Sequence, residues 1–64
     1  MNISATLESK KQERGITYAE LSRRTGINED MVSRFCKGTS KPSGEQLIRL
    51  CHELELEIED FLVA

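Results

Sequence analysis

The feature that most constrains this sequence is a pair of short helical patterns joined by a single glycine, between Thr17 and Gly38. The first pattern ends at Gly26, and the second begins about two residues later, at Asn28. Helices joined so tightly lie close together, so a facing residue must be small, as Ser22 is, and the turn needs a residue that tolerates positive φ. The spacing predicts either a helix-turn-helix unit or a helical hairpin that serves stability alone.

Capping signals and apolar periodicity predict further helices on both sides of this pair. Helices are expected to end at Gly15, Gly26 and Gly38 and to begin after Thr17, Asn28 and Ser43, with Glu20 completing a capping box. A fourth helix is expected to carry an apolar stripe made of Leu47, Ile48, Leu50, Cys51 and Leu54. Leu56 and Ile58 lead into a short fifth helix with Phe61 and Leu62 turned inward. No segment alternates with period two, so the prediction is an all-α fold of five short helices in one domain, residues 1–64.

Length and composition exclude several classes of protein. A chain of 64 residues has room for one small core and no deep catalytic cleft. It contains no apolar run near the ~20 residues of a membrane span and no leader-like start, so we expect a cytoplasmic protein. Cys36, Cys51 and the adjacent His52 lack metal-ligand spacing, so no metal and no cofactor are expected. Neighbouring Cys51 and His52 point apart on a helix, which assembles no nucleophile–base pair and indicates that the protein is not an enzyme.

Charge is distributed unevenly along the chain. Residues 1–49 carry nine basic and six acidic side chains, a net charge of +3. Residues 50–64 carry five acidic side chains and no Lys or Arg, a net charge of −5. This asymmetry allows one basic face and one acidic end, which the overall charge of −2 conceals.

Residues 7–62 resemble the Cro/CI-type, or XRE, helix-turn-helix family of phage and bacterial repressors. The resemblance lies in the stretches ERGITYAELSRRTGINEDMVSRFCKGTSKPS and LIRLCHELELEIEDFL. It implies a lambda-repressor-like DNA-binding domain of five helices in which residues 28–37 form the recognition helix. By the same likeness, base edges are contacted by Glu29, Asp30, Ser33 and Arg34, and DNA phosphates by Tyr18, Lys37, Ser40 and Lys41.

The chemistry of the residues at those positions can be judged separately. Arg34 is the best candidate for base readout, because its planar guanidinium can bond bidentately to guanine O6 and N7. Two interpretations stay open for Glu29 and Asp30: a carboxylate can accept from cytosine N4, or it can simply favour the positive end of the helix dipole. Tyr18 stands where the family usually has glutamine, although its hydroxyl can still donate to a phosphate.

These observations lead to a sequence-specific, double-stranded DNA-binding transcriptional regulator, a Cro-like repressor. Proteins of this type commonly bind palindromic operators as homodimers, and the apolar residues Ile58, Phe61 and Val63 are the expected dimer surface. The alternative is a protein-interaction module on the same fold, antirepressor-like or an antitoxin. This alternative rests on three features: the weak positive charge, the acidic end of the chain and the carboxylates on the recognition helix.

Overall fold

The computed structural model describes residues 2–57, which form four helices. They are α1 (Ile3–Glu13), α2 (Tyr18–Thr25), α3 (Glu29–Lys37) and α4 (Gly44–Leu54). Residues 2–57 contain no strand, so the all-α prediction is confirmed. The prediction of five helices differs from the four seen, because the segment expected to form the fifth lies outside the described residues. No helix within residues 2–57 has the length and apolar character needed to cross a membrane.

Three of the helices begin where side-chain caps were predicted. The cap oxygens of Thr17, Asn28 and Ser43 accept from the backbone N–H groups of Glu20, Asp30 and Gln46. Such a cap satisfies one of the N–H groups that the first turn of a helix leaves unpaired. The capping box predicted at Glu20 is only half formed, because its carboxylate accepts from two arginines of α2. A complete box stands instead at Ser43, where Gln46 reaches back to the cap residue.

The turn between α2 and α3 is held by its own side chains. Gly26 has φ +75°, the left-handed conformation that glycine adopts without strain. The Ser22 hydroxyl donates to the carbonyl of Ile27. The hydroxyl of Thr25, which is buried, donates to the carbonyl of Leu21 over 2.8 Å and accepts from the Ile27 N–H over 3.2 Å. These bonds satisfy polar groups that the tight turn removes from water, and so fix α3 relative to α2.

Helices α1 and α2 each pack against both α3 and α4. The core between them consists of Leu7, Ile16, Leu21, Ile27, Val32, Phe35, Cys36, Leu50 and Leu54. The prediction that Ile48 belongs to the apolar stripe of α4 is wrong, because Ile48 is 71% exposed. Leu50 and Leu54 recur at helical spacing on the inner face of α4, and Ile48 lies roughly 200° around the helix from Leu50.

Candidate nucleic-acid interface

Helix α3 has one buried face and one polar face. Val32, Phe35 and Cys36 are buried against the other helices. Among the residues predicted to contact bases, Glu29, Asp30 and Arg34 are exposed and Ser33 is half-buried. Glu29, Asp30 and Ser33 also line an open groove with Thr17, Tyr18 and Ala19, at the N-terminal ends of α2 and α3. The structure therefore brings the four predicted base-contact residues onto the outer side of a helix that the core holds in place.

Two of these four side chains contact each other. Arg34 Nε lies 3.1 Å from Asp30 Oδ2, one helical turn away, with side chains 55% and 69% exposed. Glu29, by contrast, has no ion pair among residues 2–57. The two adjacent carboxylates of α3 therefore stand in different electrostatic settings, as the spacing of four between Asp30 and Arg34 indicates.

The residues that follow α3 form a tight turn with lysines at both sides. Gly38 has φ +85°, and the N–H groups of Gly38 and Thr39 donate to the Arg34 carbonyl over 2.9 and 3.0 Å. Lys37 and Lys41 are exposed on either side of this turn. Ser40, half-buried, donates through its own N–H to the same carbonyl at 3.4 Å. Three of the predicted phosphate contacts are thus close together in the chain, next to the C-terminal end of α3.

Tyr18, the fourth predicted phosphate contact, belongs to a partly buried polar cluster that joins α1 to α2. Its hydroxyl donates to Glu8 Oε2 over 3.0 Å, and Lys11 Nζ lies 4.5 Å from its ring centroid. Lys11 Nζ also lies 3.7 Å from Glu8 Oε1 and donates to the Ile16 carbonyl over 3.3 Å. Burial and the bond to Glu8 raise the pKa of the Tyr18 hydroxyl above its ordinary value. Burial also raises the pKa of the Cys36 thiol to about 11.

This cluster limits what Tyr18 can do. A hydroxyl has one proton to donate, so Tyr18 can donate to a phosphate only after it leaves Glu8. Sequence reasoning missed Glu8, although its spacing of three from Lys11 places the two side chains together on a helix. Cys36 is buried and Cys51 is half-buried, and neither forms a disulfide. Residues 2–57 contain no group of three or more His, Cys, Asp and Glu side chains placed to hold a metal ion.

Most of the basic side chains are paired with acids of the same chain. Of the nine, seven lie within 4.0 Å of a carboxylate: Lys10, Lys11, Arg14, Arg23, Arg24, Arg34 and Arg49. Within the part of the chain that the structure describes, Lys37 and Lys41 have no acidic partner. The positive charge that is not compensated locally is therefore concentrated beside the C-terminal end of α3.

A capped helix pair joined at Gly26, with a polar outer face on its second helix, defines a helix-turn-helix domain. A family profile described as the Cro/C1-type HTH DNA-binding domain matches residues 6–64. The chain belongs to this family, which supports double-stranded DNA as its ligand. Searches of curated proteins and of solved structures each returned no significant match.

Proposed function

We propose that this protein is a sequence-specific regulator of transcription that inserts α3 into the major groove of double-stranded DNA. The observation that carries the proposal is the position of α3. Its inner face is anchored by Val32 and Phe35, and its outer face carries four polar side chains. An α-helix fits the major groove, where each base pair presents a distinct pattern of donors and acceptors.

Arg34 is the principal base reader in this proposal. It is exposed on the outer face, and guanine offers a guanidinium two acceptors in the major groove. Ser33 and Glu29 are placed to contact neighbouring bases, since a hydroxyl can donate or accept and a carboxylate can accept from cytosine N4. Lys37, Ser40 and Lys41 hold the DNA backbone next to them, which fixes the position of α3 without reading sequence.

The protein acts as a twofold dimer and as a repressor in this proposal. One helix contacts only a few base pairs, and two half-sites about 34–36 Å apart supply a longer recognition sequence. The proposed dimer residues, Ile58, Phe61 and Val63, lie outside the described residues. If they form the interface, Val63→Glu lowers the dimer fraction in analytical ultracentrifugation and leaves the circular-dichroism melt cooperative.

The experiment that tests the proposal selects bound duplexes from a random DNA pool, at two salt concentrations, with wild type and Arg34→Ala. We expect wild type to enrich a palindrome of two half-sites. Arg34→Ala should lose about 1–3 kcal/mol of discrimination at one base pair in each half-site. Arg23→Gln, which changes a paired arginine on α2, serves as the matched control and should keep the selected sequence.

A protein-interaction module is the second candidate, and the pairing of seven basic side chains with acids of the same chain favours it. Internal pairing leaves little charge to attract DNA phosphates. If the protein is a protein-interaction module, folded wild-type protein enriches no duplex from the random DNA pool, even at low salt. The acidic residues Glu53, Glu55 and Glu57 are then the first surface to test for a basic protein partner.

A further inference from the structure

The ion pair on the outer face of α3 gives Asp30 a role that its residue type does not suggest. Asp30 Oδ2 lies 3.1 Å from Arg34 Nε, an ion pair without a hydrogen bond in the unbound protein, and the terminal nitrogens Nη1 and Nη2 form no hydrogen bond among residues 2–57. Two parallel N–H donors at one edge of a guanidinium match the O6 and N7 acceptors of guanine. We propose that Asp30 is a positioning residue that orients Arg34 for guanine, an inference that rests on the proposed DNA-binding function.

The physical basis is preorganisation of a flexible side chain. Ordering one rotamer-rich side chain on binding lowers affinity by a factor of about two to twelve. In the unbound protein the pair is exposed to water, so it restricts Arg34 only weakly. When α3 enters a groove and water is excluded, the same contact strengthens because the local dielectric falls. Asp30 then favours arrangements that keep Nε beside its carboxylate and leave Nη1 and Nη2 available to guanine.

Asp30 also has an opposite effect on affinity. Its negative charge repels DNA phosphates whatever the sequence, so Asp30 weakens binding in general while it sharpens selection for guanine. Glu29 carries the same charge in the same turn of α3, and it has no ion pair among the described residues. Glu29 therefore shares the repulsion without the positioning, which makes it the matched control.

The test measures the equilibrium dissociation constant of wild type, Asp30→Asn, Asp30→Glu, Glu29→Gln and Arg34→Ala. The probes are the duplex selected by wild type and a set with each base pair of one half-site replaced in turn. Arg34→Ala identifies the base pair that Arg34 reads, by a loss of about 5- to 150-fold in discrimination there. Circular dichroism and thermal melts show that each variant is folded.

We expect Asp30→Asn to bind non-matching duplexes more tightly than wild type while discrimination at the Arg34 base pair falls about two- to tenfold. Glu29→Gln should relieve the same repulsion, change discrimination only at the base pair that Glu29 itself contacts, and keep the wild-type discrimination at the Arg34 base pair. Asp30→Glu keeps a carboxylate within reach of Arg34 and should retain most of the discrimination at the Arg34 base pair. A merely structural role for Asp30 would change all duplexes alike.

Equal behaviour of Asp30→Asn and Glu29→Gln at the Arg34 base pair overturns the positioning role and leaves Asp30 as a source of charge alone. That result differs from failure of the proposed function. If wild type shows no sequence preference, or Arg34→Ala changes no position, the base-reading role of Arg34 fails first. The two hypotheses are therefore separated by the same set of measurements.

Discussion

At the scale of single residues, Cys36 shows how the buried side of α3 constrains chemistry. Its side chain belongs to the core, and Glu8 lies near enough to oppose a second negative charge beside it. Burial and this carboxylate together raise the pKa of the thiol to about 11. Because the thiolate is the reactive form, Cys36 is inert at neutral pH although it is a free thiol.

The raised pKa of Cys36 predicts a loss of stability in alkali. An unfolded thiol releases its proton near pH ~8.5, whereas the folded thiol keeps it until about pH 11. Between these values the unfolded chain binds fewer protons than the folded one, so the free energy of unfolding falls as pH rises, by at most roughly 1.4 kcal/mol per pH unit. Below the unfolded pKa the contribution is fully present.

Urea unfolding at pH 8.5 and pH 10 tests this prediction with Cys36→Ser, whose hydroxyl does not titrate in that range. Cys51→Ser, which keeps Cys36, is the matched control. We expect wild type and Cys51→Ser to lose stability more steeply between the two pH values than Cys36→Ser does. Equal slopes in all three proteins would contradict the role of Cys36, since other titrating groups are common to them.

At the scale of helices, the end of α4 carries local strain. Glu55 caps this helix with φ +55° and ψ +40°, a left-handed conformation that costs a residue with a side chain roughly 1–2 kcal/mol. The Leu56 N–H donates to the Cys51 carbonyl over 2.8 Å, which closes the end of the helix. Glu55 also pairs with Arg14 at 3.1 Å, but its side chain is 72% exposed, so the pair contributes only about 0–1 kcal/mol.

We therefore expect Glu55→Gly to raise the free energy of unfolding by about 0.5–1 kcal/mol, because relief of the backbone strain exceeds the lost ion pair. Arg14 keeps its bond from Nε to the Leu54 carbonyl, 2.8 Å long, in the variant. The control is Glu53→Gly, the same change inside α4, which should cost about 1 kcal/mol. Thermal and urea unfolding measure both, and a Glu55→Gly variant as destabilised as Glu53→Gly would refute the strain argument.

The helices also show which parts of the fold can be predicted from the sequence. Caps and turns depend on a few adjacent residues, so Asn28, Gly26 and Ser43 indicated their positions correctly. The helical angle of about 200° between Ile48 and Leu50 can be read from their spacing, but which of the two faces of α4 is buried depends on how α1 and α2 pack against it. The same holds for the bond from Tyr18 to Glu8, which joins two helices.

At the scale of the whole molecule, charge pairing decides how the domain meets DNA. Exposed pairs such as Arg23 with Glu20 contribute little to stability, but they neutralise charge over most of the surface. Arg23 and Arg24 together hold Glu20, and they lower the pKa of its carboxyl below the ordinary value. Lys37 and Lys41, which have no acidic partner among residues 2–57, lie next to the C-terminal end of α3, so the net electrostatic attraction is directed there.

This distribution predicts a shallow salt dependence of DNA binding. Each phosphate neutralised contributes about −0.9 to the slope of log affinity against log salt concentration, so two lysines give a slope near −2 per protomer. Lys37→Gln and Lys41→Gln should each reduce its magnitude by about 0.9 for matching and non-matching duplexes alike. Arg23→Gln removes the same charge from a guanidinium that Glu20 already binds and should leave the slope unchanged. Fluorescence anisotropy across a salt series measures the slope for wild type and for the three variants. A wild-type slope near −6 per protomer would contradict the prediction, because it would mean that the paired arginines leave their acids and bind phosphate.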